Sequence, residues 1–559
     1  MDEQEMEERN REPAFVPRAA TSPESNDADR PKKKHKIDET KEEKRKRRAA
    51  KLAADLRKTN QDIMSKALSR VRLPMIYRGG ALRLTRTPGR DRVNTVRLEE
   101  LIHPNELEAA FVFAFCIAGP VFFQNFPLKT TSNHRLDCPV VGRLSQEDFE
   151  RVEGASHLGY KDLYGANLHM FHPEMPSSGC AHSKILILVY PGFMRLVITS
   201  ANLDTEYGDN HYYIQDFPAL SLQAARTYEE PKFQTDLCAH IQDLGCPKEF
   251  WRPYLKDNVY DFTEAKVHLV TSKPGSHSQE NSETYGQLRL RNIVRHHILS
   301  DDDVPKMEFE VCVGSVGRLE NETFLKNMLE SCSGGLQKHV ETQPALKVVF
   351  PTVADGSGQI ASHIQDFPAL PNAMKEIFHH YKSKDLGCLF HMKLILALRA
   401  GQPNDLPLYA YVGSHNFSKN AWGSAVPQKD KRAKKEGWGE LRLEGMANFE
   451  CGVVVPGEWI VPMLETGEWE ELVPYVRPSP ENRYRPGERA FKRLPQEDME
   501  KLMTLGGAGG MGSIQLMPSG AFDAFGSDAS GPRLASASAA EMLCILTCNG
   551  IRNILSIHT

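Results

Sequence analysis

The sequence predicts a layered α/β protein made of two similar halves. Three observations carry this. Apolar runs of strand length are interleaved with helix-length stretches along most of the chain, the pattern of stacked sheets and helices. Two of those runs open on the same polar pair: "AHSKILILVY" (Ala181–Tyr190) and "HMKLILAL" (His391–Leu398) each carry His-x-Lys at the mouth of a near-continuous apolar segment. Each is followed by a strand-like run ending in an asparagine, Asn202 in "RLVITSANL" and Asn416 in "LYAYVGSHNF", with Ser200 and Ser414 two residues earlier.

The elements can be taken in order. Residues 1–72 are polar and charge-rich, and cannot bury enough apolar surface to order themselves. "LEAAFVFAFCIAGPVFF" (Leu107–Phe123) reads as a buried helix leading to a strand. Arg195–Leu203 reads as a strand ending at a polar turn, and "NHYYIQDF" from Asn210 as another strand. A second cycle follows, with strands expected in "KVHLVTS" (Lys266–Ser272), "FEVCVGSVGRL" (Phe309–Leu319), "ALKVVFPT" (Ala345–Thr352), "HMKLILAL" and "LYAYVGSHNF" (Leu408–Phe417). The halves should therefore span residues 73–263 and 264–500. Residues 501–559 are largely Gly-, Ser- and Ala-rich and read as a low-complexity tail, in which the apolar "MLCILTC" is out of character. The heptapeptide "IQDFPAL" occurs at Ile214–Leu220, after the first His-x-Lys, and at Ile364–Leu370, before the second. The two copies are not equivalent positions of a duplication.

At 559 residues the chain is too long for one domain of roughly 100–200 residues. The net charge of −4 averages over segments of very different character and says little about partners, while the near-neutral isoelectric point argues against a broad electrostatic grip on nucleic acid, so any binding would rest on a local basic groove. Two basic clusters, "RPKKKHK" (Arg30–Lys36) and "KEEKRKRR" (Lys41–Arg48), resemble a bipartite nuclear import signal, which predicts a nuclear location; a solvated basic tail that touches nucleic acid also fits. The eleven cysteines include no zinc-finger spacing, so reduced thiols are expected. No apolar stretch approaches the roughly 20 residues of a spanning helix, so no membrane role is expected.

Residues i and i+2 of a strand project from the same face, so His182 pairs with Lys184 and His391 with Lys393. The apolar runs behind them read as strands buried on both faces. A polar pair at the end of a rigid core strand can line a cleft. Two halves facing one another would then bring two imidazoles, two ammonium groups and the amides of Asn202 and Asn416 around one point. That set suits a phosphodiester. Lysines and asparagines stabilise the charge that builds on the non-bridging oxygens, one imidazole attacks phosphorus, and the other protonates the leaving oxygen and later activates water. No HExxH or carboxylate cluster accompanies the histidines, so no metal and no cofactor are expected.

Paired His-x-Lys motifs in two similar halves resemble the phospholipase D superfamily. The usual H-x-K-x(4)-D pattern lacks its aspartates here, where Val189 and Leu398 stand instead. That departure, together with S-x-N-x-S-K-x-A-W-G from Ser414 to Gly423, resembles the tyrosyl-DNA phosphodiesterase 1 family. "VGSVGRL", "VVFPT" and "NFECGVVV" fit the family in order and spacing, and the likeness runs from about Leu73 to Arg489.

The resemblance implies two phospholipase D-like halves, each a mixed β-sheet flanked by helices, with the active site between them. It implies a DNA-repair phosphodiesterase that hydrolyses the 3′-phosphotyrosyl bond between DNA and a stalled topoisomerase I peptide and leaves a 3′-phosphate. His182 would form a covalent phosphohistidine. His391 would be the general acid and then the base. Lys184, Lys393, Asn202 and Asn416 would hold the phosphate. Glu450 in "NFECG" matches a carboxylate that orients one histidine; a satisfied structural pair is the other reading of that residue. The first half should hold a counterpart, either Asn210 or Gln215. Ser315, Arg318, Ser418 and Lys419 lie where the family contacts DNA phosphates, contacts that position without reading sequence. The implied partners are single- or double-stranded DNA bearing a 3′-linked tyrosine or peptide and the nuclear import machinery, with the protein itself a monomer. Alternatives are a nuclease or phospholipase of the same superfamily, and a catalytically inert DNA-binding module.

Overall fold

The computed structural model describes residues 73–87, 93–115, 125–127, 140–143, 168–176, 179–203, 208–300, 305–317, 322–336, 345–352, 377–384, 389–429, 440–485 and 488. The expectations for 1–72, 501–559, Arg318, the second "IQDFPAL" and the distal part of Leu107–Phe123 lie outside these residues.

Two large mixed sheets dominate. The first contains β1 (Ala81–Thr85), β2 (Thr95–Val96), β3 (Ala109–Phe113), β4 (Val140–Arg143), β5 (Leu168–Phe171), β6 (Ile185–Tyr190) and β7 (Phe193–Thr199). A short β8 (Gly208–Asp209) stands apart from it, and β9 (His211–Pro218) completes it. The second half supplies β10 (His268–Ser272), β11 (Gly275–His277), β12 (Met307–Val313), β13 (Leu346–Phe350), β14 (Phe378–His380), β15 (Leu389–Phe390), β16 (Lys393–Arg399) and β17 (Tyr409–Gly413). It ends with β18 (Ser424–Pro427), β19 (Leu441–Met446) and β20 (Glu450–Pro456). The first sheet runs β2-β1-β9-β7-β6-β3-β4-β5 and the second β10-β20-β17-β16-β12-β13-β14.

Setting β2 aside, the two orders are the same seven-strand topology. In each sheet the strand after His-x-Lys (β6, β16) lies at the centre. It pairs antiparallel with β7 or β17 on one side and with β3 or β12 on the other, and two parallel strands follow. This equivalence makes β7 match β17 and β9 match β20.

The central strands explain the apolar runs. Ile185, Ile187 and Val189 face one apolar cluster, while Leu186, Leu188 and Tyr190 face another, and all six are fully buried. A strand covered on both faces has no polar side to alternate with. The same physics corrects the expectation for Leu107–Phe123: its described part is β3, a strand buried at every position, not a helix. A short continuous apolar run cannot be told from a buried helix by periodicity alone, and its Phe and Val content favours the strand.

Helices Lys232–Asp243, Lys248–Leu255, Gly286–Ile293 and Glu322–Cys332 flank the sheets. Phe233, Leu237 and Ile241 of the first join Ile187, Leu196 and Tyr213 in one core that continues into the second half. Between the halves, β7 and β9 pack on β17, and β7 on β20. The first "IQDFPAL" has a structural role at this level. Asp216 accepts hydrogen bonds from Arg195 Nε (2.7 Å) and Nη2 (3.0 Å) and from the backbone of Ile76 and Tyr77, so it anchors the first described segment to β9.

Candidate active site

The His-x-Lys pairs lie just before, or at the first residue of, the central strands, so the buried strand fixes them while their side chains point beyond its end. Local geometry repeats in the two halves. Lys184 Nζ donates to the carbonyl of His182 at 2.8 Å, and Lys393 Nζ to the carbonyl of His391 at 2.5 Å. Lys184 and Lys393 are buried, as are His182 and Glu450, while His391 is half-buried.

Each histidine takes its partner from the opposite half. His182 Nδ1 lies 2.7 Å from Glu450 Oε2, and His391 Nδ1 lies 2.9 Å from Asn210 Oδ1. Glu450 opens β20 and Asn210 immediately precedes β9, so they are equivalent positions in the two sheets. Their support is equivalent too. Ser414 Oγ donates to Glu450 Oε2 (2.6 Å) and accepts from Cys451 N; Ser200 Oγ donates to Asn210 Oδ1 (3.0 Å) and accepts from His211 N.

The backbone tightens the same crossing. Ala181 and Phe449, the residues just before His182 and Glu450, form a parallel bridge. Phe390 and Asp209, just before His391 and Asn210, pair in parallel in the two-stranded β15–β8 ribbon. The active centre is thus a pseudo-twofold crossing in which each half's imidazole is zipped to the other half's acceptor.

At the acceptors themselves the symmetry breaks: a carboxylate on one side, a carboxamide on the other. Both accept, so each imidazole carries its proton on Nδ1 and keeps Nε2 for other partners; His391 Nε2 lies 3.1 Å from Lys393 Nζ. An acceptor with a full charge stabilises positive charge on its imidazole far more than an amide does. Gln215 is not the counterpart. It is buried in β9, where its amide donates to Arg78 O at 3.1 Å and accepts from Tyr213.

Ionisable groups from both halves share the crossing. Burial and the nearby Lys184 ammonium hold Lys393 well below the usual lysine range, with Glu450 opposing. Burial raises Glu450, offset by His415, Lys184 and hydrogen bonds from Ser414 and Asn448. Among the described residues, the buried side chains of Lys184, Lys393 and Glu450 lie within electrostatic reach of one another. Asn202 and Asn416 stand three residues past β7 and β17, and each leaves a buried side-chain oxygen without a partner. Rotating such an amide presents N–H donors to an anion at the same position.

The second described cluster is a ridge beside His391. Gly314 N donates to Met392 O, Gly317 N to Phe417 O (2.9 Å) and Phe417 N to Ser315 O (3.2 Å), which lays the Gly314–Gly317 turn along the Ser414–Ser418 segment. A Cβ on Gly317 would lie 2.6 Å from Ser418 Cβ, so the close approach requires glycine. Ser418 caps helix Lys419–Trp422 by accepting from Ala421 N, and Lys419 is exposed. Ser315, Ser418 and Lys419 therefore share one ridge.

Sequence reasoning passed over Phe115, whose ring lies 5.5 Å from that of His182, and Asn448, which touches Glu450. Phe115 carried no motif, and Asn448 opens the "NFECG" run with no role of its own assigned; only the fold shows what each touches. Among the described residues no cluster of three or more His, Cys, Asp or Glu could hold a metal ion, and no helix is long and apolar enough to cross a membrane.

A sequence profile described as tyrosyl-DNA phosphodiesterase matches residues 81–501. The chain belongs to the tyrosyl-DNA phosphodiesterase family. It is 28% identical over 341 residues to tyrosyl-DNA phosphodiesterase 1 of Arabidopsis thaliana, an alignment covering 57% of this chain and 54% of that protein. The chain thus matches about half the length of this curated relative. Among solved structures, a point mutant of yeast tyrosyl-DNA phosphodiesterase 1 is 15% identical with a TM-score of 0.49, covering 67% of this chain and 89% of that one. A second yeast tyrosyl-DNA phosphodiesterase structure is 13% identical with a TM-score of 0.46, covering 67% and 89%. Membership of this family places Ser414–Gly423 and both His-x-Lys pairs inside the matched region.

Proposed function

We propose that the protein is a DNA-repair phosphodiesterase that removes tyrosine or a tyrosyl peptide, such as that left by stalled topoisomerase I, from the 3′ end of DNA. The observation that carries this is the crossed pair of histidines, one on a carboxylate and one on an amide, beside two buried lysines.

The carboxylate marks the nucleophile. When Nε2 of His182 attacks phosphorus, an N–P bond forms, the imidazole becomes cationic, and Glu450 stabilises that charge through Nδ1–H. The bond from phosphorus to the phenolic oxygen breaks, and protonated His391 passes its Nε2 proton to that oxygen. The amide of Asn210 orients His391 without holding its proton, which suits a group that must give the proton up and take another. His391 then removes a proton from water as the water oxygen attacks phosphorus. The N–P bond breaks, its electron pair returns to His182, and a 3′-phosphate remains.

Lys184, Lys393, Asn202 and Asn416 bind the non-bridging oxygens. A phenol leaves more readily than an alkoxide, so a tyrosyl ester reacts where an ordinary DNA linkage does not. Ser315, Ser418 and Lys419 supply backbone-phosphate contacts, with Arg318 assigned to the same role by its motif. The clusters Arg30–Lys36 and Lys41–Arg48 support nuclear import, and the protein acts as a monomer without a cofactor. The test is a single-stranded oligonucleotide bearing a 3′-phosphotyrosine, incubated with the protein in excess EDTA. Release of tyrosine with a 3′-phosphate is expected. Failure of folded protein to release it, with cleavage of phospholipid or plain DNA instead, would select the superfamily's other activities.

A further inference from the structure

The crossing between the halves is symmetric in its backbone but not in its side chains. On the His391 side, the residue two positions before Asn210 is Gly208, which has no side chain to contribute. On the His182 side the equivalent residue is Asn448, and its side chain spans the crossing. Asn448 Nδ2 donates to Glu450 Oε1 at 3.0 Å, while its Oδ1 accepts from Cys180 N at 3.3 Å. One amide therefore touches both the carboxylate that holds His182 and the backbone of the segment that carries His182.

The surroundings make this a fixed clamp. Asn448 is buried, and its own backbone N–H donates to Asn420 O at 3.1 Å. Phe449 N donates to Cys180 O (3.0 Å) and His182 N to Phe449 O (2.8 Å). A Cβ on Gly179 would fall 2.0 Å from Ala447 O, so nothing larger than glycine lets the two segments close. With Ser414 and His182 on Oε2 and Asn448 on Oε1, Glu450 has a donor on each oxygen.

We infer that Asn448 is a positioning residue that aligns the His182 imidazole by clamping Glu450 to the His182 segment. This rests on His182 being the nucleophile. It implies that the pairing, rather than substrate binding, suffers when the amide is removed. Groups tuned as second neighbours of a reacting atom typically change activity by about 10- to 100-fold when lost.

The test compares Asn448→Ala and Asn448→Asp with the wild-type chain. Asn448→Asp keeps an oxygen for Cys180 N but loses the donor to Glu450 and sets two carboxyl groups side by side. The groups facing Glu450 are His182, Ser414, Asn448, Lys184, Lys393, His415, His240, Tyr411 and Cys451. Both variants remove the Asn448 donor, and losing a donor to a carboxylate favours proton uptake by the His182–Glu450 pair, the more so where Asp adds a second carboxyl group. Two readouts are used: single-turnover release of tyrosine, and NMR titration of His182 in protein labelled with ¹⁵N-histidine, which needs no substrate.

The expected result is a kcat lower by about 10- to 100-fold in both variants with KM within threefold. The His182 titration should move upward by about half a unit or more, most in Asn448→Asp. A folded variant with wild-type kcat and an unmoved titration would overturn the inference. So would a loss confined to KM and thermal stability, since that is what a merely structural amide produces. If the wild-type chain releases no tyrosine, the proposed activity fails, and the titration still decides whether Asn448 aligns His182.

Discussion

The carboxylate–amide asymmetry makes a quantitative prediction. Glu450→Gln removes the charge from the acceptor of one histidine and Asn210→Ala removes the acceptor of the other, and they should differ greatly in effect. Glu450 is fully buried, holds His182 Nδ1 at 2.7 Å, and faces an imidazole that becomes cationic when phosphorylated. A hydrogen bond to a charged group is worth about 1.5–3 kcal/mol, which is about 13- to 160-fold in rate. Glutamine keeps an oxygen for Ser414 and His182, but its nitrogen then meets Asn448 Nδ2, donor against donor. Asn210 offers a neutral acceptor at 2.9 Å to a half-buried ring. A neutral hydrogen bond is worth about 0.5–1.5 kcal/mol, or about 2- to 13-fold. The assay is single-turnover release of tyrosine from a 3′-phosphotyrosyl oligonucleotide at saturating enzyme. The Glu450→Gln rate should fall at least several-fold further than that of Asn210→Ala. Equal losses, or a Glu450→Gln rate within threefold of wild type, would refute the assignment of the carboxylate to the phosphorylated imidazole.

Other outcomes follow from the same geometry. Because Lys184 and Lys393 are buried together beside the two histidines, inorganic phosphate should raise Tm in proportion to ln(1 + [phosphate]/Kd), and Lys393→Met should abolish the shift; an unchanged response in that variant would remove the phosphate site from the lysines. Burial lowers His415 to about 3 and His240 to about 4, so the unfolded chain binds more protons below its histidine value near 6.5. Stability should therefore be level above pH 6.5 and fall beneath it, by about 2 kcal/mol for each histidine at pH 5; a flat urea-unfolding free energy between pH 7 and 5 would contradict this. A Cβ on Gly452 would sit 2.2 Å from the Tyr411 hydroxyl, so Gly452→Ala should destabilise by about 1–3 kcal/mol, read as a lower thermal midpoint.

Much of the fold was legible because β6, β16 and β17 are buried runs whose composition admits little else, and the His-x-Lys repeat marked where the second half restarts. The Leu107–Phe123 run misled because a strand covered on both faces shows no alternation, and β3 is such a strand. The His, Lys and Asn set was readable because each half repeats it at matching positions. Glu450 and Asn210 were harder. Their chemistry depends on the halves crossing, so each lies beside a histidine remote from it in sequence, and nothing local separates Asn210 from Gln215. Only the start of β9 does, since Asn210 stands just outside the ladder and Gln215 within it. Asn448 was invisible for the same reason, and Ser200 and Ser414 showed only as companions of the asparagines.

The most direct measurement is covalent trapping. His391→Ala retains His182, Glu450 and both lysines but lacks the group that activates water. Mixed with a labelled oligonucleotide bearing a 3′-phosphotyrosine and denatured, it should carry DNA on a peptide containing His182, and adding His182→Ala should abolish the adduct. Folded His391→Ala that traps no DNA while the wild-type chain still releases tyrosine, or an adduct that survives the loss of His182, would contradict a His182 nucleophile.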